Sequence, residues 1–171
     1  MSNVEVSRSL QRDTTIKLHG PDDFAGMRKA GQLAAAALDM ITPHVKPGVA
    51  TEHLDALVMA FAQDHGAIPA PLNYRGFPKA ICTSINHVVC HGIPGPKPLR
   101  EGDVVNIDVT LIVDGWHGDT SRMYGVGEIS RKAERLIEVT YECLMRGVGA
   151  VKPGVSTGKI GAVIQQFAEA E

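Results

Sequence analysis

Apolar residues return every three or four positions from Phe24 onward. Phe24, Met27, Ala30, Leu33, Ala34, Ala37, Leu38 and Ile41 make one stripe, the mark of a helix with one face in a core. Gly20-Pro21-Asp22 starts it, with proline in the first turn and acids near the N-terminus. From Val104 the period changes to two. Val104 to Val113 reads as a strand, Asp114-Gly115 as a two-residue hairpin turn, and Trp116 to Tyr124 as the return strand. Such a turn pairs Val113 with Trp116, Thr110 with Asp119 and Asp108 with Ser121. One face then carries Val105, Ile107, Val109, Leu111 and Val113 with Trp116, Thr120 and Tyr124, and is the buried side. The other, with Asn106, Asp108, Thr110, His117, Asp119 and Ser121, is almost wholly polar.

The pattern also repeats. Val45-Lys46-Pro47-Gly48-Val49 recurs as Val151-Lys152-Pro153-Gly154-Val155, an offset of 106 residues, and the match continues through Thr51 and Thr157 to Phe61 and Phe167. Nine of nineteen positions between 45–63 and 151–169 are identical, and three more exchange one aliphatic residue for another. A Pro-Gly turn followed by a threonine cap is a common helix start and explains the turn. The shared apolar positions behind it point instead to duplication. Upstream of the second turn, Ser130 can cap a helix whose inner face is Ala133, Leu136, Ile137, Tyr141 and Leu144. Each unit therefore opens helix, turn, helix. The first unit continues through Gly66-Ala67-Ile68, a loop-rich stretch from Pro69 to Pro98, and the strands, whereas the second stops at Glu171. The expected division is an N-terminal tail over 1–15 and a domain over 16–171, with a first unit of about 20–127 and the start of a second of about 128–171.

Composition narrows the class. The 171 residues are 44% hydrophobic, 21% charged and 5% aromatic, a globular profile. With 17 Lys+Arg against 19 Asp+Glu the formal charge is −2, and the basic residues are scattered, which excludes nucleic acid and anionic membranes as expected partners. No apolar run reaches the roughly 20 residues of a bilayer span, and the first 20 residues are polar and mixed in charge, unlike a signal peptide. Cys82, Cys90 and Cys143 form no CxxC pair, which argues for a reducing compartment and hence the cytoplasm.

Asp108 and Asp119 share the polar face as diagonal cross-strand neighbours, with Cα atoms about 7–8 Å apart. Two carboxylates at that spacing can hold one hard cation or bridge a pair about 3.5–4 Å apart. The same pattern also fits the solvated face of an amphipathic hairpin. Aspartate is depleted in strands, however, so two of them call for a reason. His91, just before Gly92-Ile93-Pro94, is either a surface histidine or an imidazole free to point into a site. Cys82 and Cys90 read as small buried hydrophobes. Tyr74 and Phe77, around Gly76 and Pro78, place aromatic area in a loop, as a binding pocket or as a satellite core.

Taken together, Tyr74-Arg75-Gly76-Phe77-Pro78-Lys79, Cys82-Thr83-Ser84-Ile85-Asn86, Val89-Cys90-His91-Gly92-Ile93-Pro94, Asn106-Ile107-Asp108-Val109 and His117-Gly118-Asp119-Thr120-Ser121 resemble the bacterial type I methionine aminopeptidases. The resemblance spans roughly residues 15 to 171, the N-terminal part of that family's catalytic domain. It implies an α+β pita-bread fold of two pseudo-symmetric halves with antiparallel sheets, here one full helix-helix-sheet half plus the helices of the second. By the same resemblance Asp108 binds one divalent metal and Asp119 bridges two, of Co, Mn, Fe or Zn. His91 contacts the substrate near the scissile bond, and Tyr74, Phe77 and Cys82 line a methionine pocket. At Pro71 the family often carries a cysteine on the pocket wall, and the segment around Asn86 holds a monovalent cation there. The implied activity is hydrolytic removal of the N-terminal methionine, with Met peptides and nascent chains as substrates, a role in protein maturation at the ribosome, and a monomeric enzyme.

The family's remaining ligands, a histidine and two glutamates, and a second substrate-contacting histidine would fall beyond Glu171. The expectation is therefore a fragment of a longer product, inactive and poorly folded alone. Two rivals are a non-catalytic pita-bread binding module, which Asp108, Asp119 and His91 oppose, and the prolidase and aminopeptidase P group, whose early segment does not resemble Tyr74 to Pro94.

Overall fold

The computed structural model describes residues 16–171, so the tail expected over 1–15 lies outside the described residues. Helix α1 (Pro21–Ile41) begins as expected, with Pro21 in its first turn and the Asp23 carboxylate accepting the Gly20 amide at 3.0 Å. It buries Ala30, Ala34, Ala37, Leu38 and Ile41, but Phe24 and Met27 stay 57% and 52% exposed. The reason is Gly26, which lies directly against the Trp116 indole and continues the buried face one turn further. Phe24 and Met27 are rotated away from that contact.

Helix α2 (Thr51–Asp64) follows the Pro-Gly turn. Both copies of that turn are built alike: Val49 N donates to Lys46 O at 3.3 Å with Gly48 at φ +85°, and Val155 N donates to Lys152 O at 3.3 Å with Gly154 at φ +82°. A type II turn needs that positive φ at its third residue, which explains the glycine in each copy. Thr51 is not the cap. Ala50 takes that position, and Thr51 is the first helical residue.

One antiparallel sheet forms the floor. Its long strands are β3 (Val104–Val113) and β4 (Trp116–Gly125), joined by Asp114-Gly115 with φ +51° and +83°, as a two-residue hairpin turn demands. The other edge of β3 is shared by two short strands: β1 (Ile68–Pro69) opposite Ile112 and Leu111, and β2 (Cys82–Ile85) opposite Asp108 to Val105. Along β3 half-buried and buried residues alternate, with Val105, Ile107, Val109, Leu111 and Val113 facing α1 and α2.

The second helix pair is α3 (Arg131–Gly149) and α4 (Thr157–Ala168). Ser130 caps α3, its hydroxyl accepting the Ala133 amide at 3.2 Å. The expected inner face differs from the observed one. α3 packs on α4 through Cys143 and Gly147, the latter pressed against Ile160 and Ile164, while Leu136, Tyr141 and Leu144 remain exposed. Among the described residues no helix is long and apolar enough to cross a membrane.

Candidate metal centre

The hairpin register is the expected one: Thr110 faces Asp119 and Asp108 faces Ser121. The Thr110 hydroxyl donates to Asp119 Oδ1 at 2.9 Å, which orients that carboxylate on the open face of the sheet. Asp108 is half-buried, and its carboxyl is raised above the ordinary aspartate range. Burial is the main cause and repulsion by Asp119 the second, with His91 pulling the other way. Across β3, Cys82 stands opposite Asp108, and its thiol is pushed up to about 11 by burial first and by Asp108 next. Such a thiol stays protonated at neutral pH and acts as an apolar wall. Gly118, one residue before Asp119, lies so close to the Ala30 carbonyl that a side chain there would overlap it. The close approach of α1 thus sets the height of β4 at the carboxylate.

Two loops close over this face. Between β1 and β2 the chain leaves the edge of β3, with Ala70 N still donating to Thr110 O at 2.9 Å, and returns at Cys82. This excursion carries Tyr74 and Phe77 and emerges beside Asp108. Its tip is tight: Asn73, Arg75 and Gly76 take φ of +65°, +49° and +83°, and Asn73 N donates to Phe77 O at 2.8 Å. The second loop is pinned to β2 at Gly92, whose carbonyl accepts Thr83 N at 2.8 Å and whose amide donates to Ser84 Oγ at 3.2 Å. A side chain at 92 would overlap the Thr83 carbonyl. His91 beside it takes φ +55°, a left-handed backbone that histidine tolerates better than most residues.

The result is one cleft of about 670 Å³, whose lining includes all six residues singled out from the sequence: Tyr74, Phe77, Cys82, His91, Asp108 and Asp119. Pro71 lines it too. Tyr74 sits at the rim, 64% exposed. Cys82 is buried as expected, but Cys90 is exposed, because the loop tied down at Gly92 turns it outward. Sequence reasoning missed Arg75 and Ile93 in the lining, and it missed Asp55, a buried acid that signals itself by interrupting the apolar face of α2. Asn86 lies apart from the cleft lining, its amide committed to Asp103 Oδ1 at 2.9 Å and to the Val104 amide at 3.0 Å.

The donor chemistry fits a hard divalent cation. Two carboxylates repel one another on one face, and among the described residues neither makes an ion pair with Lys, Arg or His. A cation between them relieves both burial and repulsion. No group of three or more His, Cys, Asp or Glu placed to hold a metal occurs among the described residues.

Residues 25–171 match Metallopeptidase family M24. The chain belongs to that family. The chain is 62% identical over 155 residues to a methionine aminopeptidase of Rickettsia prowazekii, covering 91% of the chain and 60% of the relative, so it spans less than two thirds of that protein's length. A crystal structure of methionine aminopeptidase from the same organism superposes with a TM-score of 0.90 at 61% identity, over 91% of this chain and 63% of that one. An Xaa-Pro dipeptidase from Bacillus anthracis superposes at 0.78 and 23% identity, covering 88% and 41%, a likeness of fold alone. The chain thus has the α+β pita-bread architecture expected from its sequence, with an antiparallel sheet.

Proposed function

We propose that the protein is a methionine aminopeptidase that hydrolyses the first peptide bond of chains beginning with methionine. The observation that carries this reading is the meeting, in one cleft, of two diagonal cross-strand carboxylates, an apolar wall and His91. In this reading Asp108 and Asp119 would hold the divalent ions, with Co, Mn, Fe and Zn all suited to carboxylate-rich ligation. Ions held there supply Lewis acidity toward a carbonyl oxygen and acidify water. Phe77 and Cys82 bury the methionine side chain, Tyr74 closes over it from the rim, and His91 contacts the substrate beside the scissile bond without being a ligand. Arg75, left-handed at the same rim, adds the cleft's cation.

The same reading divides the chain into a first unit of about 20–127 and the opening of a second over 128–171. It places a monomeric enzyme in the cytoplasm, acting on nascent chains at the ribosome. By the same reading a monovalent cation is held in the segment around Asn86.

The test is calorimetric titration of the whole gene product with Mn²⁺, beside Asp119→Asn. Binding by the wild type and a loss of at least about ten-fold in the variant are expected, since even outer-shell substitutions cost that much. Equal binding by the two would sink the reading. In the whole gene product, release of methionine from Met-Ala-Ser should disappear with the same substitution.

A further inference from the structure

Helix α2 lies on the far side of the sheet from the cleft, yet two of its side chains reach the loops that build it. Asp55 is only 8% exposed and lines no part of the cleft. Its Oδ1 accepts two successive backbone amides, Ala80 N at 2.8 Å and Ile81 N at 3.2 Å, and the Lys79 ammonium stands 3.8 Å from Oδ2. Thr51, one helical turn earlier and 3% exposed, accepts the Gly95 amide on its hydroxyl at 3.0 Å, and Glu52 N donates to Gly95 O at 3.1 Å. Residues four apart share a helix face. One turn of α2 therefore grips both cleft loops, the return of the Phe77 loop and the end of the His91 loop.

We infer that Asp55 is a positioning residue that fixes the Phe77–Cys82 wall of the cleft and thereby its selectivity for the bound side chain, an inference that rests on the aminopeptidase reading. Between Ala70 and Cys82 the chain makes no strand pairing, so its return end has few other anchors. Ala80 and Ile81 are buried, and without Asp55 two amides would be left unpaired away from water. The two amides lie between Phe77 and Cys82, and Cys82 is opposite Asp108 in the ladder. Any slack at Ala80 and Ile81 moves the wall relative to the carboxylates.

The experiment uses the whole gene product with Mn²⁺, comparing wild type, Asp55→Ala and Asp55→Asn by amide exchange and by kcat/KM for Met-Ala-Ser against Phe-Ala-Ser. In Asp55→Ala, exchange at Ala80 and Ile81 should quicken by at least about ten-fold with Leu38 in α1 unchanged, and the preference for the methionyl peptide should fall about three-fold or more. Asp55→Asn keeps an acceptor oxygen and should restore both. Lys79→Ala, which removes the counter-charge but not the acceptor, should leave Ala80 and Ile81 protected, and it decides the matter where Asp55→Ala does not fold. Unchanged exchange in Asp55→Ala, faster exchange with the peptide preference intact, or loss of protection in Lys79→Ala each overturns the inference. A whole gene product that cleaves neither peptide overturns the aminopeptidase reading and the selectivity with it, a result distinguished by protected Ala80 and Ile81 amides.

Discussion

Asn86 holds a left-handed backbone at φ +52° at the end of β2, and Asp103 fastens it there. Asp103 accepts Asn86 Nδ2 on one oxygen and the Arg100 amide on the other, both at 2.9 Å. Its carboxyl is held below the usual range, first by the Asn86 bond and then by the Arg100 amide. A carboxyl with a lowered folded pKa adds stability above its unfolded value, and loses it as pH falls through the folded one. Asp103→Asn should therefore cost up to about 1 kcal/mol at pH 7, a small figure because the site is solvent-screened. The difference between variant and wild type should narrow from pH 7 toward acid pH, as the wild-type carboxyl takes up its proton below the ordinary aspartate range. Urea midpoints at neutral and acid pH check this, and a pH-independent difference would assign the loss to shape instead. Side chains like these were invisible to periodicity. The outward turn of Cys90 and the rotation of Phe24 off the core each depend on a glycine contact made by a distant residue, Gly92 on Thr83 and Gly26 on Trp116.

Among elements, the hairpin was legible down to its register, and the Phe77 loop was not. A two-residue Asp-Gly turn leaves one pairing, and a strict period of two then assigns every side chain to a face. That is why Asp108 and Asp119 could be placed together from sequence. The loop over 70–81 has neither device: its shape comes from left-handed steps at Asn73 and Arg75 and from the Asp55 carboxylate, a tertiary bond across 25 residues of chain. What could be read there was composition, the two aromatics, and not position. The element contact that most directly supports the carboxylates is α1 on β4 at Gly118. Gly118→Ala should lower stability by about 3 kcal/mol, because backbone rather than a movable side chain opposes the new methyl. It should also weaken Mn²⁺ binding, since Asp119 follows directly. Loss of stability with undiminished ion affinity would show that α1 does not position the carboxylate.

At the scale of the whole molecule the two helix pairs share a turn but not an environment. Ala30, Ala34, Ala37, Leu38 and Ile41 of α1 face the sheet, and the offset of 106 maps them onto Leu136, Thr140, Cys143, Leu144 and Gly147 of α3. Of these, Cys143 and Gly147 are buried against α4, whereas Leu136 and Leu144 are 63% and 55% exposed, alongside Tyr141, Met145 and Val148. A stripe of that size on one helix face is more than the scattered apolar exposure of an ordinary surface. The 171-residue chain should accordingly enhance the fluorescence of a hydrophobic dye such as anilinonaphthalene sulfonate while showing native helical circular dichroism. Leu136→Ser with Leu144→Ser should remove about half of that enhancement. Because both side chains are exposed, the urea midpoint should move by no more than about 0.5 kcal/mol of stability. A loss of several kcal/mol would instead mean that Leu136 and Leu144 are packed in solution, and the picture of α3 as a helix gripped on one side by α4 would have to be given up.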